Sequence, residues 1–177
     1  MDVSLMPILA GKGLGLAVWV SMLGEPYAAI PLLIAGLLMA YGRAGFRLHI
    51  KSIILSALAL LFLVQGLKFS IDRPRPAAQI AAFRDLPAGH LRQRAFPSGH
   101  TSFAAFVGGV LALSPLVPPL RILAFLMALG VAWSRVALGA HWPSDVLVGL
   151  LLGFVLALGA LRRQSSSAEE RVERETS

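Results

Sequence analysis

The stretch RAFPSGHTSFAAF, Arg94 to Phe106, decides how this chain is read. A polar Pro97-Ser98-Gly99-His100 cluster stands directly before an apolar run. An apolar helix needs no such edge merely to begin, so the cluster calls for a chemical reason. A second passage, SRVALGAHWPSDVLVGLLLGF from Ser134 to Phe154, repeats the pattern: a serine, two bases and an acid set against apolar sequence.

The rest of the chain supplies the setting. Of its 177 residues 56% are hydrophobic and only 14% are charged, and mean hydropathy is +0.74. That balance is far from a soluble domain and indicates an integral membrane protein. Cysteine is absent, which removes disulfide frameworks and thiolate chemistry. The net charge of +7 does not indicate nucleic acid, because the bases are scattered among apolar runs and leave no basic face to track a phosphate backbone.

Six apolar stretches follow one another, approximately at residues 5–23, 26–41, 50–67, 101–117, 119–138 and 146–161. Several fall short of the roughly 20 residues that a spanning helix needs, so their polar flanks must extend them. The pattern predicts an all-α, polytopic transmembrane bundle of about six helices. In the alternative, five helices cross and the first stretch, interrupted by Lys12 and glycines, lies in the interface. That stretch lacks the basic n-region and the A-x-A-like site of a cleaved signal peptide. One membrane domain, 1–161 with a core at 25–161, is expected to precede a polar cytoplasmic tail at 162–177. No internal repeat is evident.

If every stretch crosses, the Pro- and Arg-rich connection at 68–98 and the turn at 139–145 emerge on one face. The connections near 42–49 and 114–121, and the tail, emerge on the other. The positive-inside rule gives that second face, with Arg43, Arg47, Lys51, Arg121, Arg162 and Arg163, to the cytoplasm. The opposite loop is nevertheless basic, with Lys68, Arg73, Arg75, Arg84, Arg92 and Arg94. Those cations need a purpose other than topology.

Three clusters share the loop's face: KFSIDRPRP from Lys68, Pro97-Ser98-Gly99-His100, and Ser134-Arg135 followed by His141 and Asp145. Fixed cations, histidines, a serine, a glycine and a carboxylate together suit a phosphoryl group. Arginine's fork matches phosphate oxygens bidentately, and lysine adds a point charge. Ser98 and Gly99 stand where a helix would begin, so their N–H groups can face an anion. Pro143 suits a first helical turn, which puts His141 just before the helix and Asp145 within its first turns, where the two side chains can meet. A carboxylate on one imidazole nitrogen would leave the other free to attack. His100 is placed to give a proton to a leaving oxygen. Each cluster alone has a plainer reading, as a packing histidine, a snorkelling anchor or a capped turn.

In combination, Lys68-x6-Arg75-Pro76, Pro97-Ser98-Gly99-His100 and Ser134-Arg135-x5-His141-x3-Asp145 resemble the three signature motifs of the type 2 phosphatidic acid phosphatases, and the likeness covers most of residues 25–161. The resemblance implies a metal-independent phosphatase that works through a phosphohistidine, needs no cofactor, and opens its site on the non-cytoplasmic face of the inner (cytoplasmic) membrane. It makes His141 the nucleophile, Asp145 its orienter and His100 the general acid. Lys68, Arg75, Ser98, Gly99 and Arg135 become the phosphate-binding set, with Arg73 as a possible accessory. The implied partner is a membrane lipid phosphate within the bilayer. Undecaprenyl diphosphate, phosphatidylglycerol phosphate, phosphatidic acid and lipid A are the candidates.

Two other classes compete. A metal-dependent hydrolase would use His100, His141 and Asp145 as ligands, but Lys68, Arg75 and Arg135 would crowd a cation with like charge. A non-enzymatic lipid-binding or transport bundle could use the same cations, yet here they gather at helix ends rather than mid-helix.

Overall fold

Apolar runs bounded by Pro, Gly and Ser set the helices of the computed structural model, which describes residue 10, residues 13–41 and residues 50–162. In chain order they are α1 (Leu14–Met22), α2 (Pro26–Tyr41), α3 (Ile50–Ser70), α4 (Pro76–Gln79), a 3-10 turn (Ala81–Phe83), α5 (Gly99–Leu113), α6 (Pro118–Ala137) and α7 (Pro143–Arg162). The described residues contain no strand. Proline opens α2, α4, α6 and α7, where its fixed φ suits a helix and its missing N–H has no intrahelical acceptor to lose. Residues 1–9, Lys12, Arg43, Arg47, Arg163 and the rest of the tail lie outside the described residues.

Helices α3, α6 and α7 have 21, 20 and 20 residues and are long and apolar enough to cross a membrane. The central α5 is shorter, at 15 residues. The first two expected crossings are not a pair of straight spans: α1 and α2 meet at a 58° bend. α1 is nine residues, about 14 Å, and cannot cross by itself. It packs instead along the C-terminal half of α6, with Gly13 beside Trp133 and Val20 beside Gly130. Among the described residues three helices are long and apolar enough to cross, or four crossings if α1 and α2 form one bent span, against the six stretches expected.

α5 is buried almost all round, from Ala104 to Leu111, between α6 and α7. Small residues allow this. A Cβ on Gly153 of α7 would stand 2.3 Å from the Ser102 carbonyl oxygen and 2.7 Å from the Phe106 nitrogen, so the two backbones meet almost directly. The outside of the bundle is apolar, with Phe62, Ile122, Leu123, Leu147 and Leu151 exposed. Water would penalise such a belt, whereas lipid tails do not.

The C-terminal ends of α3 and α6 and the N-terminal ends of α5 and α7 share one end of the bundle. The connection 71–98 folds over that end as an ordered cover. Phe83, Ile80 and Leu86 pack with Val136 and Trp142, and the Trp142 indole N–H donates to the Pro74 carbonyl at 2.9 Å.

Candidate active site

The turn after α6 places His141. Gly139 takes a left-handed φ of 69° just beyond the helix, a conformation that a side chain would strain. The chain doubles back there, so the N–H groups of Ala140 and His141 both reach the Arg135 carbonyl, at 3.0 and 3.2 Å. His141 is thereby fixed beside Arg135, and it is 2% exposed.

The orientation of the His141 ring comes from an unexpected quarter. Its Nδ1 lies 2.7 Å from the Ala95 carbonyl oxygen. A carbonyl can only accept, so Nδ1 carries the proton and Nε2 keeps its lone pair. Asp145 Oδ2 stands 3.7 Å from Nδ1, beyond hydrogen-bond reach. The carboxylate expected on the imidazole is instead a second, longer-range partner. Asp145 is itself held by Arg73, whose NH1 donates to Oδ1 at 2.7 Å, and by the Trp142 N–H at 2.9 Å.

Nε2 faces Arg75 NH1 at 3.5 Å. The Arg75 guanidinium is aimed by backbone acceptors, Nε to the Gln93 carbonyl at 2.9 Å and NH1 to the Ala140 carbonyl at 3.2 Å. Lys68, near the end of α3, donates to the Arg94 carbonyl at 3.0 Å. Its Cε lies 3.8 Å from where a Cβ on Gly99 would be, so it borders the start of α5. Arg135 is 8% exposed; one guanidinium nitrogen donates to Ser21 Oγ, while its buried Nε has no hydrogen-bond partner.

Burial pushes the His141 imidazole down to about 3, helped by the positive fields of Arg75, Arg135 and Lys68 and opposed by Asp145. The ring is therefore neutral at physiological pH. Burial also lowers Arg75 from the usual arginine range, against the pull of Asp145. These cations are packed around an uncharged imidazole with Asp145 as the carboxylate nearest to it, an arrangement that suits an incoming anion.

Ser98 departs from its expected use. Its N–H donates to the Asp145 carbonyl at 3.1 Å, and its Oγ lies 2.9 Å from Thr101 Oγ1. It caps α5 and ties it to α7, leaving the first-turn N–H groups of Gly99 and His100 as those that geometry frees from intrahelical bonding. Arg73, expected only to assist, is the clamp on Asp145 and also donates to Ser144 Oγ at 2.7 Å. Among the described residues, no group of three His, Asp or Glu side chains converges to hold a metal ion.

Sequence reasoning missed two contributions. One is main-chain: the carbonyls of Arg92, Gln93, Arg94 and Ala95 in turn accept from Arg75 N–H, Arg75 Nε, Lys68 Nζ and His141 Nδ1. No side-chain pattern announces such a strip. The other is Glu25, whose Oε1 lies 2.6 Å from His100 Nε2. That one left a signal, since Glu25 is the sole acidic residue between Asp2 and Asp72.

A protein-family model described as the PAP2 superfamily matches residues 49–167. The chain is 36% identical over 137 residues to a lipid A 1-phosphatase of Rhizobium johnstonii, covering 66% of this chain and 54% of that protein. It is 28% identical over 165 residues to an undecaprenyl-diphosphatase of Sulfolobus acidocaldarius, covering 90% and 74% respectively. Among solved structures, the fold is similar to the first transmembrane PAP2 type phosphatidylglycerolphosphate phosphatase from Bacillus subtilis. The TM-score there is 0.70 at 26% identity, over 93% of this chain and 85% of that one. The chain spans about half the length, or less, of the lipid A 1-phosphatases it matches.

Proposed function

Because this chain belongs to the PAP2 superfamily and is a membrane protein, we propose that it removes phosphate from a lipid phosphate or lipid diphosphate through a phosphohistidine on His141, without a metal ion. The observation that carries this reading is the fixed tautomer of His141. The Ala95 carbonyl accepts a hydrogen bond from Nδ1–H, and the bare Nε2 lies beside Arg75. A neutral, oriented nitrogen next to a cation that can hold the phosphoryl oxygens is a nucleophile ready to attack phosphorus.

Lys68, Arg75 and Arg135 neutralise the phosphoryl oxygens, with the amides at the start of α5 as further donors. The orphaned Nε of Arg135 supports this, because a buried donor without an acceptor is expensive unless a ligand supplies one. His100 protonates the leaving oxygen and later takes a proton from the water that cleaves the N–P bond. Asp145 stabilises the positive charge on the phosphorylated imidazole.

The substrate is a lipid, since the site lies at the end of an apolar bundle beneath the 71–98 cover. Undecaprenyl diphosphate, phosphatidylglycerol phosphate, phosphatidic acid and lipid A remain the candidates, three of them echoed in the names of the similar proteins. The site is assigned to the periplasmic or extracellular side of the cytoplasmic membrane, where the loop's cations serve phosphate rather than topology. The test is the purified protein offered a panel of these lipids, with released phosphate measured and a radiolabelled phosphoenzyme sought. A phosphohistidine is labile to acid and stable to alkali. Absence of phosphate release from every lipid in the panel would overturn the reading.

A further inference from the structure

The corner between α1 and α2 reaches the candidate active site at three points. Ser21 accepts from Arg135. Gly24 lies so close that a Cβ there would stand 2.7 Å from Val131 Cγ1 and 3.3 Å from His100 Cβ. Glu25 follows, with Oε1 at 2.6 Å from His100 Nε2 and the two side chains 37% and 28% exposed. A lone carboxylate in the apolar N-terminal region, delivered to a histidine by a tight bend, is an arrangement that packing alone does not require.

We propose that Glu25 is a positioning residue for His100: it holds the imidazole by Nε2, leaves Nδ1 for the leaving oxygen, and supplies the counter-charge of the imidazolium. The proposal rests on the phosphatase reading above. Burial acts against a protonated ring at His100, as does the like charge of Arg135 and, less strongly, of Arg75, so such a ring needs an anion beside it. Glu25 also lines a groove of about 250 Å³ together with Val18, Met22, Tyr27, His90 and Leu91. That groove, mixed in polarity and lined by the carboxylate that contacts His100, suits the departing lipid moiety.

The step balances as follows. His141 Nε2 forms the N–P bond while the P–O bond breaks, and its electron pair stays on the leaving oxygen. That oxygen takes the Nδ1 proton of cationic His100, and Glu25 remains ionised. In the second step neutral Nδ1 takes a proton from water, the water oxygen bonds to phosphorus, and the N–P pair returns to His141.

The charge of Glu25 should therefore matter in proportion to the leaving group's need for a proton. Two substrates share one lipid body: phosphatidic acid expels an alkoxide, and diacylglycerol diphosphate expels a phosphate monoester that is already a stable anion. Single-turnover formation of phosphoenzyme is measured for both with the wild-type protein, Glu25→Gln, Glu25→Asp and His100→Ala. Glu25→Gln keeps a hydrogen bond and removes the charge. It should slow reaction with phosphatidic acid about 10–100-fold, within the range of general-acid contributions, and reaction with the diphosphate by less than about threefold. Glu25→Asp should recover part of the loss, and Glu25→Gln added to His100→Ala should cost nothing further. Equal losses on both substrates, or full additivity with His100→Ala, would overturn the role of Glu25. A wild-type protein that forms no phosphoenzyme from either lipid would instead overturn the phosphatase reading.

Discussion

Replacing Arg73 by Ala tests how the nucleophile is held. Arg73 NH1 donates to Asp145 Oδ1 and to Ser144 Oγ, each at 2.7 Å, and its guanidinium lies 5.5 Å from the Trp142 ring centre. Asp145 is fully buried, while Arg73 is 30% exposed. Breaking a wholly buried pair costs about 3–5 kcal/mol. Solvent at Arg73 screens part of this, so about 1–3 kcal/mol is the reasonable range here. At about 2–4 °C per kcal/mol for a chain of this size, the melting temperature should fall by roughly 2–12 °C. Asp145 and Trp142 flank the turn that carries His141, so a relaxed carboxylate disturbs the nucleophile but not the phosphate contacts. The expected signature is kcat lower by about 10–100-fold, or one to two steps of 1.4 kcal/mol, with KM nearly unchanged. Arg73→Lys should restore part of the stability, having charge but no fork. The assay is steady-state phosphate release in detergent beside a thermal unfolding curve. A KM raised several-fold at constant kcat would refute the reasoning, because Arg73 would then be a phosphate ligand rather than the clamp on Asp145.

Other outcomes follow from the same geometry. Arg135→Gln removes the buried charge and the unpartnered Nε, and should weaken inhibition by vanadate at least about tenfold, a loss of one charge-assisted contact; an unchanged inhibition constant would place the phosphate elsewhere. His141, held down to about 3, should show no titration between pH 8 and 5 in histidine-labelled NMR spectra assigned with His141→Asn. Because the folded value lies below the unfolded one, the stability linked to this ring is complete above about pH 6.5 and declines as pH falls from there toward 3. A titration near 6.5 would contradict its burial. Turnover should survive EDTA, since Lys68, Arg75 and Arg135 supply the positive charge; loss that a divalent metal restores would reinstate the metal-dependent alternative. A cysteine at Gln79 should react with an impermeant thiol reagent in spheroplasts, whereas one at Ser166 should react only after lysis, and the reverse pattern would invert the topology.

The helices were legible wherever apolar length was the governing signal. α3, α6 and α7 fall on three of the expected stretches, 50–67, 119–138 and 146–161. Their ends were less so, for physical reasons. Hydropathy runs on to residue 117, but α5 ends at Leu113 because Ser114-Pro115 and Pro118-Pro119 stop it. α7 begins at Pro143, ahead of its apolar stretch, because Ser144 and Asp145 face Arg73 rather than lipid. The boundary between the first two stretches falls at Gly24-Glu25-Pro26, where a charge, a helix breaker and a helix starter coincide, and the structure adds a 58° bend there.

The chemistry divides along the same line. A cation or an imidazole is visible in sequence because its side chain is its function, and Lys68, Arg75, Arg135, His100 and His141 all come to one end of the bundle. Their aim is not visible, because it is set by acceptors that any residue possesses. The Ala95 side chain carries no polar group, yet the carbonyl of this residue selects the tautomer of His141, the task expected of Asp145. The carboxylate is thereby free to be clamped by Arg73 and to act on the ring through its field. Such an assembly makes the run 92–95 as consequential as the motifs beside it. At the exposed Gln93, a substitution that keeps the backbone path should be tolerated whatever its side chain. A proline at Gln93 perturbs the path while leaving every carbonyl, and Gln93→Ala changes the side chain alone. Retained activity of Gln93→Ala would locate the contribution of this segment in its acceptors, and loss of activity with an intact melting temperature would locate it in that side chain.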